Sequence, residues 1–94
     1  MTRIAEIQRA VAAHYGLTRE AMLGDRRTTH HTAPRYVAIY LAHRITGQGC
    51  RVLGRAFQRD HTAISNGLLC TKALVASDAA FRAHVERLEQ GLGA

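Results

Sequence analysis

The chain has 94 residues, 47% of them hydrophobic, one proline, and a formal net charge of +6 from 13 basic and 7 acidic side chains. A chain of this length holds one domain with one modest core, burying roughly 60–65% of its unfolded surface. Its apolar content argues against general disorder, no apolar run approaches the length of a membrane span, and MTRIAEIQRA is no signal peptide, so the expected location is the cytoplasm.

Alanine and leucine dominate the apolar set and β-branched residues never alternate over a useful stretch, which predicts an all-α fold of five to six helices. Thr2 can cap a first helix, roughly Arg3 to Tyr15, whose Ile4, Ile7 and Val11 share one face and which Gly16 stops. Thr18 caps a short second helix through Leu23, with Glu20 in its first turn, and Gly24 ends it. GDRRTTHHTA, from Gly24 to Ala33, is polar, basic and without period, and reads as a loop. Pro34 then suits the first turn of a third helix, with Val37, Ala38, Leu41 and Ile45 as its buried stripe and Gly47 as its end. A fourth helix follows, about Cys50 to Phe57, with Val52, Leu53, Ala56 and Phe57 apolar. Gln58-Arg59 is a turn, and Asp60 caps a fifth helix, about His61 to Leu74, with Ile64, Leu68 and Thr71 inward. Ser77 or Asp78 caps the last helix, about 78–91, with Phe81, Val85, Leu88 and Leu92 on one face.

Lys72 is the only lysine; the other basic side chains are arginines, suited to planar two-pronged contacts with phosphate or guanine. That balance favours an acidic partner, nucleic acid ahead of a membrane surface or an acidic protein. Cys50 and Cys70 make no CxxC pair and read as small, partly buried thiols. The six histidines fall into no zinc-binding spacing, and no nucleophile is suggested beside His61. Neither a metal, a cofactor nor an enzymatic activity is therefore expected. Gly67, inside the fifth helix, is expected where another helix approaches closely, and of the adjacent Leu68 and Leu69 only one can face the core.

The informative pair is the fourth and fifth helices. A short helix, a tight turn and a longer helix make a helix-turn-helix, whose second helix enters the major groove of DNA. That helix opens with Asp60, His61, Thr62 and Ala63, then Ser65 and Asn66: small or polar side chains able to meet base edges. Asp60 also caps the helix, and capping and readout are compatible.

Four blocks, IQRAVAAHYGLTREAML, GDRR, APRYVAIYLAHRITG and LGRAFQRDHTAI, resemble in order and spacing the C-terminal DNA-binding domain (domain IV) of the bacterial chromosomal replication initiator DnaA. RDHTAI is the most specific of the pieces, and the resemblance runs from Ile7 to about Leu69. It implies an all-α, Trp-repressor-like fold that binds short A·T-containing boxes in double-stranded DNA. It further implies that Arg27, with Arg26 beside it, enters the minor groove, that Arg35 and Tyr36 contact phosphates or sugars, and that Arg59, Asp60, His61, Thr62 and Ala63 lie on the segment that reads the major groove.

The sequence departs from the family pattern in four places. Gln58 stands where two small residues are usual, and Ala63 where a second hydroxyl is common. Leu69 and Cys70 replace basic residues, and Thr29 and Ala33 stand where further arginines are common. These changes bear on which box is read. The initiator's phosphate-binding loop, GxxxxGK[ST], is absent from these 94 residues. With Met1 as the start, the expectation is one domain over residues 1–94 and a stand-alone, nucleoid-associated regulator of transcription or replication. A protein-interaction adaptor on the same fold, binding an initiator or polymerase subunit, is the alternative. The last helix offers a surface for a homo-oligomer.

Overall fold

The computed structural model describes residues 3–24 and 29–92, without the side chains of 29–33, and among these residues every regular element is a helix: α1 (Arg3–His14), α2 (Arg19–Leu23), α3 (Thr29–Thr46), α4 (Cys50–Phe57), α5 (His61–Ser77) and α6 (Ala79–Gly91). The all-α expectation holds. α1 forms because Ile4, Ile7, Gln8, Val11 and Ala12 recur at helical spacing and make one buried stripe. Gly16, at φ +72°, stops it: the Leu17 amide donates back to the Ala12 carbonyl at 2.8 Å, which lays Leu17 against the core. The Thr18 hydroxyl accepts from the Ala21 amide at 3.0 Å and opens α2, which buries Met22 and Leu23.

α3 is the central helix, packed against α1, α2, α4 and α5. The expected stripe along it is too narrow. Val37 to Ala42 are buried without interruption, Ile39 and Tyr40 included, because neighbours cover the helix on every side. Its start also differs from expectation. The helix begins at Thr29, so Pro34 lies well inside rather than in the first turn. A proline there, in the second turn, cannot donate to the carbonyl four residues earlier, and its ring crowds that carbonyl. The buried run that follows outweighs that loss. The polar stretch 29–33, expected as loop, is helical backbone.

The inward positions expected on α5, Ile64, Leu68 and Thr71, are all buried, while Leu69 is 64% exposed. Gly67 lies against α3: a Cβ there would stand 3.2 Å from Cδ1 of Tyr36 and 3.4 Å from Cδ1 of Ile39. α5 continues past Leu74 to Ser77, since nothing in Val75–Ser77 breaks it. Asp78 both ends α5 and starts α6, its amide donating to the Leu74 carbonyl at 2.9 Å and its carboxylate accepting from the Phe81 amide at 3.1 Å. α6 buries Val85, with Phe81, Leu88 and Leu92 partly covered, and returns toward α1, where the Tyr15 hydroxyl lies 2.8 Å from Nε2 of His84. Arg44 of α3 holds Glu89 at 3.2 Å. Cys50 is partly buried as expected; Cys70 is exposed, contrary to expectation, because it shares the outer face of α5 with Leu69.

Candidate nucleic-acid interface

α4, the turn Gln58–Asp60 and α5 form the helix-turn-helix. Leu53, Gly54 and Phe57 turn α4 inward and leave Arg51, Val52 and Arg55 outside. The turn is closed by two backbone bonds, from the Gln58 amide to the Arg55 carbonyl (3.4 Å) and from the Arg59 amide to the Gly54 carbonyl (2.9 Å). Gln58 takes the left-handed conformation (φ 56°) that glycine usually occupies at such a helix end. The chain then passes so close to α4 that a Cβ on Gly54 would lie 2.7 Å from the Arg59 carbonyl oxygen, so only glycine fits at 54. Asp60 follows with extended backbone. Its Oδ1 accepts from the Ala63 amide at 2.9 Å, which fixes where α5 begins.

That cap sets the direction of the next turn. His61, Thr62, Ser65 and Asn66 are exposed, Ala63 is half-buried, and Ile64, Gly67 and Leu68 face the core. The exposed set shares one helical face, which Leu69 continues outward. Tyr36 is half-buried, set against Gly67 of α5, and its carbonyl accepts from the Thr71 hydroxyl at 3.4 Å.

Two of the arginines singled out from sequence are turned toward the protein itself. Arg35 is buried, its Nε donating to the Met22 carbonyl at 3.0 Å and its Nη2 to the Gly24 carbonyl at 2.8 Å. Arg59 reaches the same Gly24 carbonyl with its own Nη2, at 2.6 Å, and donates through Nη1 to the Gln58 carbonyl at 3.0 Å. The structure thus brings the end of α2, the start of α5 and α3 together at one oxygen. Arg26 and Arg27, which follow Gly24 in the sequence, lie outside the described residues.

The sequence belongs to the bacterial DnaA helix-turn-helix family. The family match runs over residues 4–69, from α1 into the first half of α5, and so contains the Gly24 junction, α4, the turn and the opening of α5. The chromosomal replication initiator protein DnaA of Bartonella quintana is 39% identical over 92 residues, and that of Rhodopseudomonas palustris strain BisA53 is 40% identical over 91. These alignments cover 97% and 96% of this chain but only 19% of either relative, so the chain spans about a fifth of their length. A crystal structure described as a DNA replication initiation factor superposes with a TM-score of 0.87 at 25% identity, over 96% of this chain and 28% of that one. The DnaA-type fold therefore extends through α6, beyond the end of the family match.

Sequence reasoning missed two features of this DnaA-type unit. One is Gln8, fully buried, whose Nε2 donates to the Ala56 carbonyl (3.1 Å) and whose Oε1 accepts from Arg19 (2.7 Å), tying α1 and α2 to α4. A glutamine in an apolar stripe was its only signal. The other is the pair Arg51 and Arg55, whose helical spacing on the polar face of α4 was the available clue.

Proposed function

We propose that this chain binds double-stranded DNA sequence-specifically, as a small DnaA-type regulator of transcription or replication that acts at the nucleoid on a DnaA-box-like site. The carrying observation is the first turn of α5: a capped helix end that leaves His61, Thr62, Ser65 and Asn66 exposed side by side while Ile64 and Leu68 anchor it. In a helix-turn-helix this end enters the major groove, where hydroxyl, imidazole and amide groups can pair with base edges. Residues 1–94 act as one unit in this reading, without cofactor, metal or catalytic step. No described helix is long and apolar enough to cross a membrane.

The site residues then divide by role. His61, Thr62, Ser65 and Asn66 read bases; the half-buried Ala63 offers a methyl to thymine, and Asp60 directs the helix as its cap. Arg27, with Arg26, enters the adjacent minor groove, and Tyr36 lies beside the sugar–phosphate chain, while the buried Arg35 acts from inside the protein. Arg35 and Arg59 both hold the Gly24 carbonyl, two residues before Arg26 in the sequence, and so fix the end of α2 relative to α5. The test is the double variant His61→Ala/Thr62→Ala, assayed on a site selected from random duplexes and on a scrambled duplex at one salt concentration. Affinity for the selected site should fall by roughly 1–3 kcal/mol while scrambled binding holds. An unchanged ratio of the two would remove α5 as the reading helix.

Leu69 and Leu74, 64% and 46% exposed on α5, favour a second reading, an adaptor that docks on an initiator or polymerase subunit. DNA binding whose logarithm falls with log salt at a slope of roughly −4 to −5 supports the first reading, and a flat response supports the second.

A further inference from the structure

We propose that Arg51 and Arg55 of α4 are a phosphate-holding pair that grips the DNA backbone beside the groove entered by α5. The inference rests on the DNA-binding reading above and adds two residues to it. α4 places the pair four positions apart on one face, both exposed. That face lines an open cleft of about 650 Å³ whose other wall is the turn and the first residue of α5, His61. The cleft and the reading face thus share His61, so a DNA strand bordering the groove read by α5 runs past the two guanidinium groups. The first helix of a helix-turn-helix crosses the backbone in this way.

The charge balance of the cleft agrees. Most described arginines are engaged with the protein's own carbonyls or carboxylates, and Arg59, which also lines the cleft, is turned to Gly24. Arg51 and Arg55 have no hydrogen-bond or ion-pair partner among the described residues. The one acid in the cleft, Asp60, has an oxygen committed to the Ala63 amide. Two planar, unpaired cations beside a single capped carboxylate suit a chain of phosphates, each able to accept two N–H bonds from one guanidinium.

Phosphate contacts position a protein without reading sequence, so the pair should act on salt dependence and leave specificity alone. The test uses the full chain and a fluorescent duplex of mixed sequence, titrated by anisotropy from about 50 to 200 mM salt. Arg51→Gln/Arg55→Gln should reduce the magnitude of the log–log slope by about 1.8, so that the loss of affinity across this range shrinks roughly tenfold. Its ratio of selected-site to scrambled affinity should stay at the unmutated value. The control Arg9→Gln/Arg87→Gln removes the same charge from exposed positions on α1 and α6 and should keep the original slope. If the α4 variant binds with an unchanged slope, or the control loses as much, the assignment of this pair is overturned while DNA binding stands. If the unmutated chain binds no duplex at all, the parent reading fails with it.

Discussion

The carbonyl of Gly24 accepts from two guanidinium groups at once, and that sharing has a measurable signature. Arg35→Met keeps an apolar stem but removes a buried pair of donations, to Met22 and Gly24 at 3.0 and 2.8 Å. Hydrogen bonds to charged groups are worth about 1.5–3 kcal/mol each, so this variant should lose about 3 kcal/mol of stability. Arg59→Met removes a 2.6 Å donation to Gly24 from a half-exposed side chain, and weaker contacts within its own turn, for a loss of about 1–2 kcal/mol. In each single variant the carbonyl keeps the other arginine. In the double variant both are gone, and a poorly hydrated acceptor costs about 1 kcal/mol more than the two losses added together. Urea unfolding of the four proteins, with equal slopes against denaturant, gives the coupling directly. Losses that add to within about 0.5 kcal/mol would refute the shared acceptor as an energetic link between the turn and the end of α2.

Gln58→Gly should raise stability by about 0.5–1 kcal/mol, since glycine takes the left-handed conformation without the cost a side chain bears there, less its greater loss of chain entropy; the urea midpoint reports it. Gly54→Ala should lower stability by about 1–3 kcal/mol, because the 2.7 Å approach of the Arg59 carbonyl forces the backbone of the turn to move. The His84 imidazole, 4.8 Å from the ring of His14, has its pKa held below 6.5 by burial first, then by His14 and Arg87. Its neutral form is thus favoured in the fold, and the stability it contributes is complete above the unfolded value of 6.5 and lost as pH falls through the lower folded value. Unfolding midpoints should accordingly drop between about pH 7 and pH 5, and His84→Gln should flatten that drop.

Where local chemistry decides an element, the sequence was enough to read it. Asp60 announces the start of α5 because a carboxylate three residues before an unpaired amide has one obvious use, and Gly16 and Gly47 mark helix ends at the positive φ they adopt. The exposed character of His61, Thr62, Ser65 and Asn66 follows from the spacing of Ile64, Leu68 and Thr71. Where packing decides, the sequence was mute. Pro34 argues locally for a first turn, but the burial of Val37–Ala42 on all sides carries α3 back to Thr29. Arg35 and Arg59 read as two more cations for a polyanion; nothing in their neighbours along the chain reveals that one carbonyl, at Gly24, draws both inward. Gln8 is the same case at smaller scale, a polar group whose partners lie on two other helices.

Asp78 serves two helices with two different groups, a backbone amide for α5 and a side-chain oxygen for α6. Mutational tolerance at this position is therefore narrower than exposure alone suggests. Asparagine, serine and threonine keep both functions; alanine keeps the amide and surrenders the cap; proline deletes the amide that closes α5. A lineage drifting freely over the outer face of α5 should hold this joint to a four-letter alphabet, and deep mutational scanning would display it as an isolated column of intolerance flanked by permissive ones.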